Sequence, residues 1–398
     1  MRKIELEAKI INCLFMGGAN KQAELRTQSF NGVFRYWFRL AGGSLEDEKR
    51  LFGWGGEGAV KGLVSIFLRQ KDLNKKRFEK IFDNKGYPKT GYGINYLGFS
   101  LDQRFKKTQQ KERRECIKEN QEFKLEIRFS PLATDKDIKK FLCSVWLAFN
   151  LGNFGTRSRR GFGSISIKDI SGDLPKEFNL KFKPFESFEE WLSENLNEIK
   201  QIIDEKPRAD IPFIFDKDKF AIYKVKKENF KNWKDWLNEV QRGREGKYLL
   251  KNWSLNKIST PTDLLDFMGF LLAAYRSYYL PDYKNVKKAI TSGSMKKTSV
   301  ERIIFGLPLN FYFSGINKKE MINLKINRET VRRASPLLIK IFVYEDMFEG
   351  LFMIMKSKFM PDKAKIDLNG KDVIFPGWKA IDDFIRSLEK NNLIIKIY

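Results

Sequence analysis

Apolar and charged residues alternate from Lys3 to Asn12, placing Ile4, Leu6, Ala8 and Ile10 on one face, and Glu122 to Phe129 repeats the pattern with Phe123, Leu125, Ile127 and Phe129. A period of two belongs to a half-buried strand. Between these segments the period lengthens to that of a helix at Ser29 to Ala41, and Leu63 to Leu68 reads as a further strand. Beyond them Ile138, Phe141, Leu142, Val145 and Phe149 share one helical stripe, opened by a Thr134 to Asp137 capping pattern. A fourth strand at Ser164 to Ile170 completes the order β-α-β-β-α-β. That order predicts a ferredoxin-like, RRM-like sheet, an arrangement that many RNA-binding domains use.

Pro175 and Pro184 mark a linker, expected over 175–210, carrying an amphipathic helix at Phe188 to Ile203 with Trp191, Leu192, Leu196, Ile199 and Ile203 on one face. The remainder predicts a strand at Phe220 to Val225, helices at Phe230 to Val240 and Leu264 to Tyr279, and strands at Ile303 to Phe313, Leu337 to Tyr344 and Leu351 to Ser357. A helix at Trp378 to Leu388 and a strand at Leu393 to Tyr398 follow. This is a second β-α-β-β-α-β set with embellishments. The expected fold is therefore α+β, with two ferredoxin-like domains in tandem at 1–174 and 211–398. A short echo supports duplication: Arg50-Leu51-Phe52-Gly53 precedes a strand in the first half, as Arg302, Phe305 and Gly306 do in the second. Residues 71–120 form a long insertion with 14 Lys and Arg against 7 acids, either a functional segment or a solvated, partly helical face.

Composition narrows the partner. Hydrophobic residues make up 42% of the 398 residues and aromatics 14%, which is core-forming material rather than disorder. The 75 Lys and Arg exceed the 50 Asp and Glu by 25, a balance that suggests a polyanion, with nucleic acid as the default. A membrane partner is not expected. The most apolar segment, Leu264 to Tyr275, contains Asp266 and reads as a buried helix, and the start Met1-Arg2-Lys3 leads into alternating residues rather than a signal peptide. The cytoplasm is the expected compartment. Cys13, Cys116 and Cys143 form no sequence pair, so neither a disulfide framework nor a zinc site is indicated, and no cofactor is expected. The chain has no histidine, which excludes Ser-His-Asp, Cys-His and His-metal chemistry within it.

The sharpest local signal runs from Gly152 to Ser164, where Gly152, Gly155, Gly161 and Gly163 surround Arg157, Ser158, Arg159 and Arg160. Glycine permits positive φ and close approach, while guanidiniums match phosphate oxygens. A nucleotide loop would lead into a helix N-terminus, but this one leads from helix to strand, which favours a loop laid along an RNA backbone. Residues 152–168 contain no acid, so local pairing is unavailable.

Two further basic clusters stand beside it. On the first helix Phe30, Phe34, Trp37 and Phe38 read as core, whereas Arg35 and Arg39 face another way and have two open readings. They either contact phosphate or pair with the nearby Glu46, Asp47 and Glu48. Arg26 at the helix start and Lys21 in the loop after Gly17-Gly18-Ala19 are placed for phosphate. Arg332 and Arg333 lead into the strand that Pro336 opens, as a basic contact or an ordinary charged turn.

At these three places the sequence resembles the RAMP superfamily of CRISPR proteins, and specifically the subunit one family of the Cmr complex. The resemblance lies in Gly17-Gly18-Ala19, Glu24-Leu25-Arg26, Gly32, Arg35-Tyr36-Trp37-Phe38-Arg39 and Leu51-Phe52-Gly53, then in Arg157-Ser158-Arg159-Arg160-Gly161-Phe162-Gly163 and Arg333-Ala334-Ser335-Pro336-Leu337. Asn31 and Asn153 depart from the usual pattern, standing where a basic residue and a glycine are common. The resemblance implies two fused RAMP domains in a type III-B ribonucleoprotein, holding the 3′ part of the guide RNA and helping to capture target RNA beside other RAMP subunits. It implies no catalytic centre. The alternatives are a metal-independent RAMP endoribonuclease that processes guide precursor RNA, and a basic scaffold that contacts protein only.

Overall fold

The computed structural model describes residues 1–20, 22–69, 72–81, 92–104, 111–184, 187–204, 207–208, 211–241, 253, 255–279, 281–291 and 299–398. In the first half the alternating segments are strands: β1 (Arg2–Ile10), followed by α1 (Thr27–Leu40), α2 (Leu45–Phe52) and β2 (Val64–Arg69). The insertion contributes β3 (Lys75–Arg77), α3 (Gly93–Leu97), β4 (Asp102–Arg104), β5 (Lys111–Arg113) and β6 (Glu115–Ile117). Then come β7 (Glu122–Phe129), α4 (Asp135–Asn150), β8 (Ile165–Gly172) and α5 (Phe188–Ile203). The second half runs β9 (Phe220–Val225), α6 (Trp233–Gln241), α7 (Pro261–Ala274), α8 (Asp282–Thr291), β10 (Leu309–Phe313), β11 (Lys318–Ile326) and β12 (Glu329–Val331). It ends with β13 (Leu337–Tyr344), β14 (Met347–Met355), β15 (Ala364–Leu368), β16 (Lys371–Val373), α9 (Lys379–Lys390) and β17 (Ile394–Lys396).

The first sheet has the order β2-β7-β1-β8 with antiparallel neighbours, and Ile4 opposes Ile127 while Leu6 opposes both Leu125 and Ile170. Its inner face meets α1 and α4 around Phe30, Phe34, Trp37 and Phe38, all buried, so the aromatics of α1 are core. The Thr134–Asp137 capping box opens α4 as the sequence indicates. The outer face of this sheet is a lattice of charges, in which Lys3 and Arg69 reach Glu126 while Lys124 joins Glu5 and Glu7. Such a face is unlike the aromatic stacking platform of many RNA-binding sheets.

The second four-stranded sheet has the order β13-β14-β9-β17. In chain order its strands stand second, third, first, fourth, as they do in the first sheet. Its surroundings differ. The near-continuous apolar run of β13 reflects burial on both faces: Leu338 and Phe342 enter the first-half core, while Leu337, Ile339 and Ile341 face α7 and α9. Trp191 on α5 packs against Trp146 of α4 and Phe342 of β13, and both indoles donate to the Lys181 carbonyl. The helix between the halves is thus built into their common core.

Some expectations need correction. Ile303 to Phe313 is not one strand but a 3₁₀ turn at Glu301–Phe305 and then β10. β10 belongs to a third sheet, β10-β11-β15-β16 with β12 on β11, that the sequence reading missed. Gly53 and Gly306 share the same unusual backbone region, but the strand after Gly306 lies outside the second main sheet, so the Arg302 to Gly306 echo extends only to the turn. Cys13 and Cys116 meet in space, and the bond from Cys116 lowers the Cys13 thiol pKa against the effect of burial.

Candidate nucleic-acid interface

The glycine–arginine loop follows α4 and is docked on the segment after β1, with Thr156 N–H donating to the Phe15 carbonyl and Gly163 N–H to that of Cys13. Gly155 and Gly163 have φ of +78° and +75°, and a Cβ would stand 2.5 Å from the Phe15 oxygen and 1.9 Å from the Phe154 oxygen respectively. The glycines therefore admit the protein's own backbone. Asn153 explains its departure from glycine: its Nδ2 donates to the carbonyls of Ser158 and Ile339, and its Oδ1 accepts from Ser164. The Gly161 carbonyl accepts from Asn12.

The same loop forms the seam between the halves. Arg160 bridges to Ile339 in parallel fashion, and the buried Lys340 donates to the carbonyls of Phe149 and Gly152 at 2.7 and 2.8 Å. Burial pushes the Lys340 pKa down to about 7. Arg159 joins all three basic regions: Nη1 donates to the Ser335 carbonyl at 2.6 Å and Nη2 to the Tyr36 hydroxyl at 2.7 Å, with the guanidinium 5.8 Å from the Tyr36 ring. The first helix, the loop and the Arg333–Leu337 stretch thus meet at one side chain.

Around Arg159 lie further cations. Arg157, in the left-handed region, donates to the Ser100 hydroxyl, and Arg160 makes a long 3.4 Å contact to the Phe305 carbonyl. Arg333 donates to the Ser357 hydroxyl and stands over the Phe359 ring, while Arg332 is exposed. Arg276, which the sequence reading did not single out, reaches the Tyr96 hydroxyl and stacks over Phe305. It follows α7 in a π-turn, Tyr275–Tyr279, whose place beside the loop no local pattern discloses.

None of Arg157, Arg159, Arg160, Arg276, Arg332 and Arg333 has a carboxylate partner among the described residues; their contacts are to carbonyls, hydroxyls and rings. Burial pushes Arg160 down to about 10, with Arg276 and Arg157 adding repulsion. Burial likewise lowers Arg157, assisted by Arg332, and Arg333, assisted by Arg159. The group is a concentration of positive charge held in place by neutral acceptors.

The first-helix pair has a different fate. Arg35 Nε lies 2.6 Å from the Glu48 carboxylate, Arg39 contacts the same oxygen, and Arg208 reaches the other oxygen at 2.7 Å. Burial would raise the Glu48 pKa, but the bonds from Arg39, Arg35 and Arg208 outweigh it and hold the group at about 2. Of the two readings left open by the sequence, pairing is the one seen here, and the acid chosen is Glu48. Arg26 is half-exposed at the start of α1, 3.4 Å from the Gly17 carbonyl and 3.6 Å from Glu24. Lys21 lies outside the described residues.

Among the described residues no helix is long and apolar enough to cross a membrane, and no cluster of His, Cys, Asp and Glu could hold a metal ion. Residues 7–166 match the family model of the RAMP superfamily. The CRISPR system Cmr subunit Cmr1-2 of Pyrococcus furiosus is 32% identical over 184 residues, covering 41% of this chain and 93% of that protein. Cmr subunit Cmr1-1 of the same organism is 29% identical over 196 residues, covering 45% of this chain and 52% of that protein. The fold, a mixture of helices and antiparallel sheets, is similar to the apo crystal structure of Cmr1 from Pyrococcus furiosus, with a TM-score of 0.54 and 19% identity over 100% of this chain and 99% of that one. The chain therefore belongs to the RAMP superfamily and, within it, to the subunit one family of the Cmr (type III-B CRISPR) effector complex.

Proposed function

We propose that this chain is a non-catalytic RNA-binding subunit of a type III-B CRISPR ribonucleoprotein in the cytoplasm. It holds the 3′ part of the guide RNA and helps to capture target RNA, with other RAMP subunits as its neighbours. On this reading the two four-stranded sheets, within 1–174 and 211–398, are tandem ferredoxin-like RAMP units. The seam between them carries the RNA.

One observation carries the reading: six guanidiniums converge on the seam without a carboxylate among the described residues. Neighbouring cations in a half-buried setting repel one another and lose hydration. A phosphate backbone supplies both the missing charge and acceptors suited to the guanidinium fork. The carbonyls and hydroxyls that hold the side chains fix their positions without cancelling their charge.

The test is RNA binding against salt concentration for the chain with Arg157, Arg159 and Arg160 changed to Ala. The log–log slope is expected to fall by about 0.7 per lost phosphate contact, hence by about two units for the three. Lys replacements, which keep the charge, are expected to retain most of the slope. An unchanged slope would overturn the site, and discrete products from repeat-containing RNA in chelator would overturn the non-catalytic role.

A further inference from the structure

The insertion reaches the same seam from the other side. Its helix α3 docks on α7, with Gly93 so close that a Cβ there would lie 1.8 Å from the Asp266 carbonyl, and Ile94 N–H donates to the Asp266 carboxylate. Its short strands form two hairpin ladders, β3 with β6 and β4 with β5, joined where Arg114 N–H donates to the Leu101 carbonyl and the Arg114 carbonyl accepts from Phe78. Glu115 ties them to the first-half loop by accepting from Ala23 N–H at 2.7 Å.

Between hairpins and loop lies a cleft of about 370 Å³, lined by Asn20 and Gln22 on one side and by Arg77, Glu112, Arg113, Arg114 and Glu115 on the other, with Arg113 already paired to Glu79 and Asp102. Ser100, which accepts from Arg157 of the glycine–arginine loop, also lines it. We propose that this cleft receives one unpaired nucleobase of the RNA lying on that loop, and that it favours bases bearing an amino group. The inference rests on the RNA-binding reading above and adds a site to it.

Three features lead there. The volume is within the range of small-ligand clefts, about 300–1,000 Å³. The lining is mixed: Glu112 and Glu115 would repel a phosphate inside, whereas an uncharged base meets no such repulsion. Arg77 and Arg114, without an ion-pair partner among the described residues, are left to serve the flanking phosphates. Carboxylates only accept hydrogen bonds, so they match the amino groups of cytosine, adenine or guanine and oppose the carbonyls of uracil. Single-stranded RNA bases are commonly read in this way along their pairing edges.

The experiment uses the full chain and unstructured single-stranded oligomers of cytidine and uridine, equal in length and charge, in fluorescence anisotropy. The cytidine oligomer is expected to bind about tenfold more tightly, and the ratio to fall towards one in the Glu112→Gln, Glu115→Gln double variant. Gln at 115 can still accept from Ala23 N–H. Equal wild-type affinities would overturn the cleft while leaving RNA binding intact; so would a ratio that survives the double variant. Loss of binding to both oligomers in the wild type would overturn the RNA-binding reading together with the cleft. The wild-type ratio needs no variant to fold, and 5-iodocytidine crosslinks that include no peptide carrying Asn20, Gln22 or Arg77 and none from 93–104 or 111–118 would also count against the site.

Discussion

Two groups of arginines lie within one fold, and they differ in what faces them. Arg35, Arg39 and Arg208 surround the fully buried carboxylate of Glu48. Among the described residues Arg157, Arg159, Arg160, Arg276 and Arg333 contact carbonyls, hydroxyls and rings only. The first group is an internal ion cluster that joins α1 and α2 to the segment before β9, and its charge is partly spent inside the protein. On the proposed reading, the second leaves its charge for an RNA backbone. Arginine content alone does not mark a binding surface; the counter-charge decides.

The largest expected effect separates the two groups at Glu48. Changing Glu48 to Gln leaves three guanidiniums without a carboxylate among the described residues, and stability in urea is expected to fall by about 3–5 kcal/mol, as for other buried pairs broken on one side. The pH dependence has a definite sign. Because the folded pKa is depressed to about 2 from an ordinary 4.5, the stabilisation is present above pH 4.5 and lost as pH falls through 2, a loss that Glu48→Gln should not show.

Next comes Lys340, beside the loop. Its folded pKa of about 7 lies below the ordinary 10.5, so the folded form sheds its proton where the unfolded chain still holds one. Stability attributable to Lys340 therefore rises with pH from about 7 to 10.5 and falls as pH drops through 7. Relative to Lys340→Met, the wild type is expected to gain about 2 kcal/mol between pH 6.5 and 8.5, measured by urea unfolding at the two values. Parallel curves would show that the ammonium is stabilised where it stands.

A smaller effect sharpens the contrast itself. Arg160→Met removes a cation that lacks a carboxylate among the described residues and has one orphaned guanidinium nitrogen, so stability is expected to stay within about 1 kcal/mol of wild type while RNA affinity drops. Arg39→Met, from the other group, is expected to lower stability more than RNA affinity. If the two variants behaved alike in both assays, the distinction would fail. Least of all, the exposed Arg332→Ala should shift stability by no more than about 0.5 kcal/mol and reduce the salt slope of RNA binding by about 0.7.

Much of the local structure was legible because burial repeats along a strand or helix. The alternation in Arg2–Ile10 and Glu122–Phe129, the capping box at Thr134 and the inward aromatics of α1 follow from periods of two and 3.6. The third sheet was less legible, since β12 and β16 have only three residues each, too few for alternation to stand out. The second sheet's burial on both faces depends on α4, α5 and α7, elements remote from β13 in the chain.

By itself the sequence determined that the chain is basic, that it forms two runs of alternating strands and helices, and that a turn rich in glycine and arginine follows the second helix. Those properties are written in composition and short-range spacing. Tertiary structure decided which arginines face a carboxylate and which a carbonyl: Glu48 is 13 and 9 residues from Arg35 and Arg39 but 160 from Arg208, and Ser335 is 176 from Arg159. Coulomb interactions depend on distance in space and on burial, and neither can be read from the order of residues until the chain has folded.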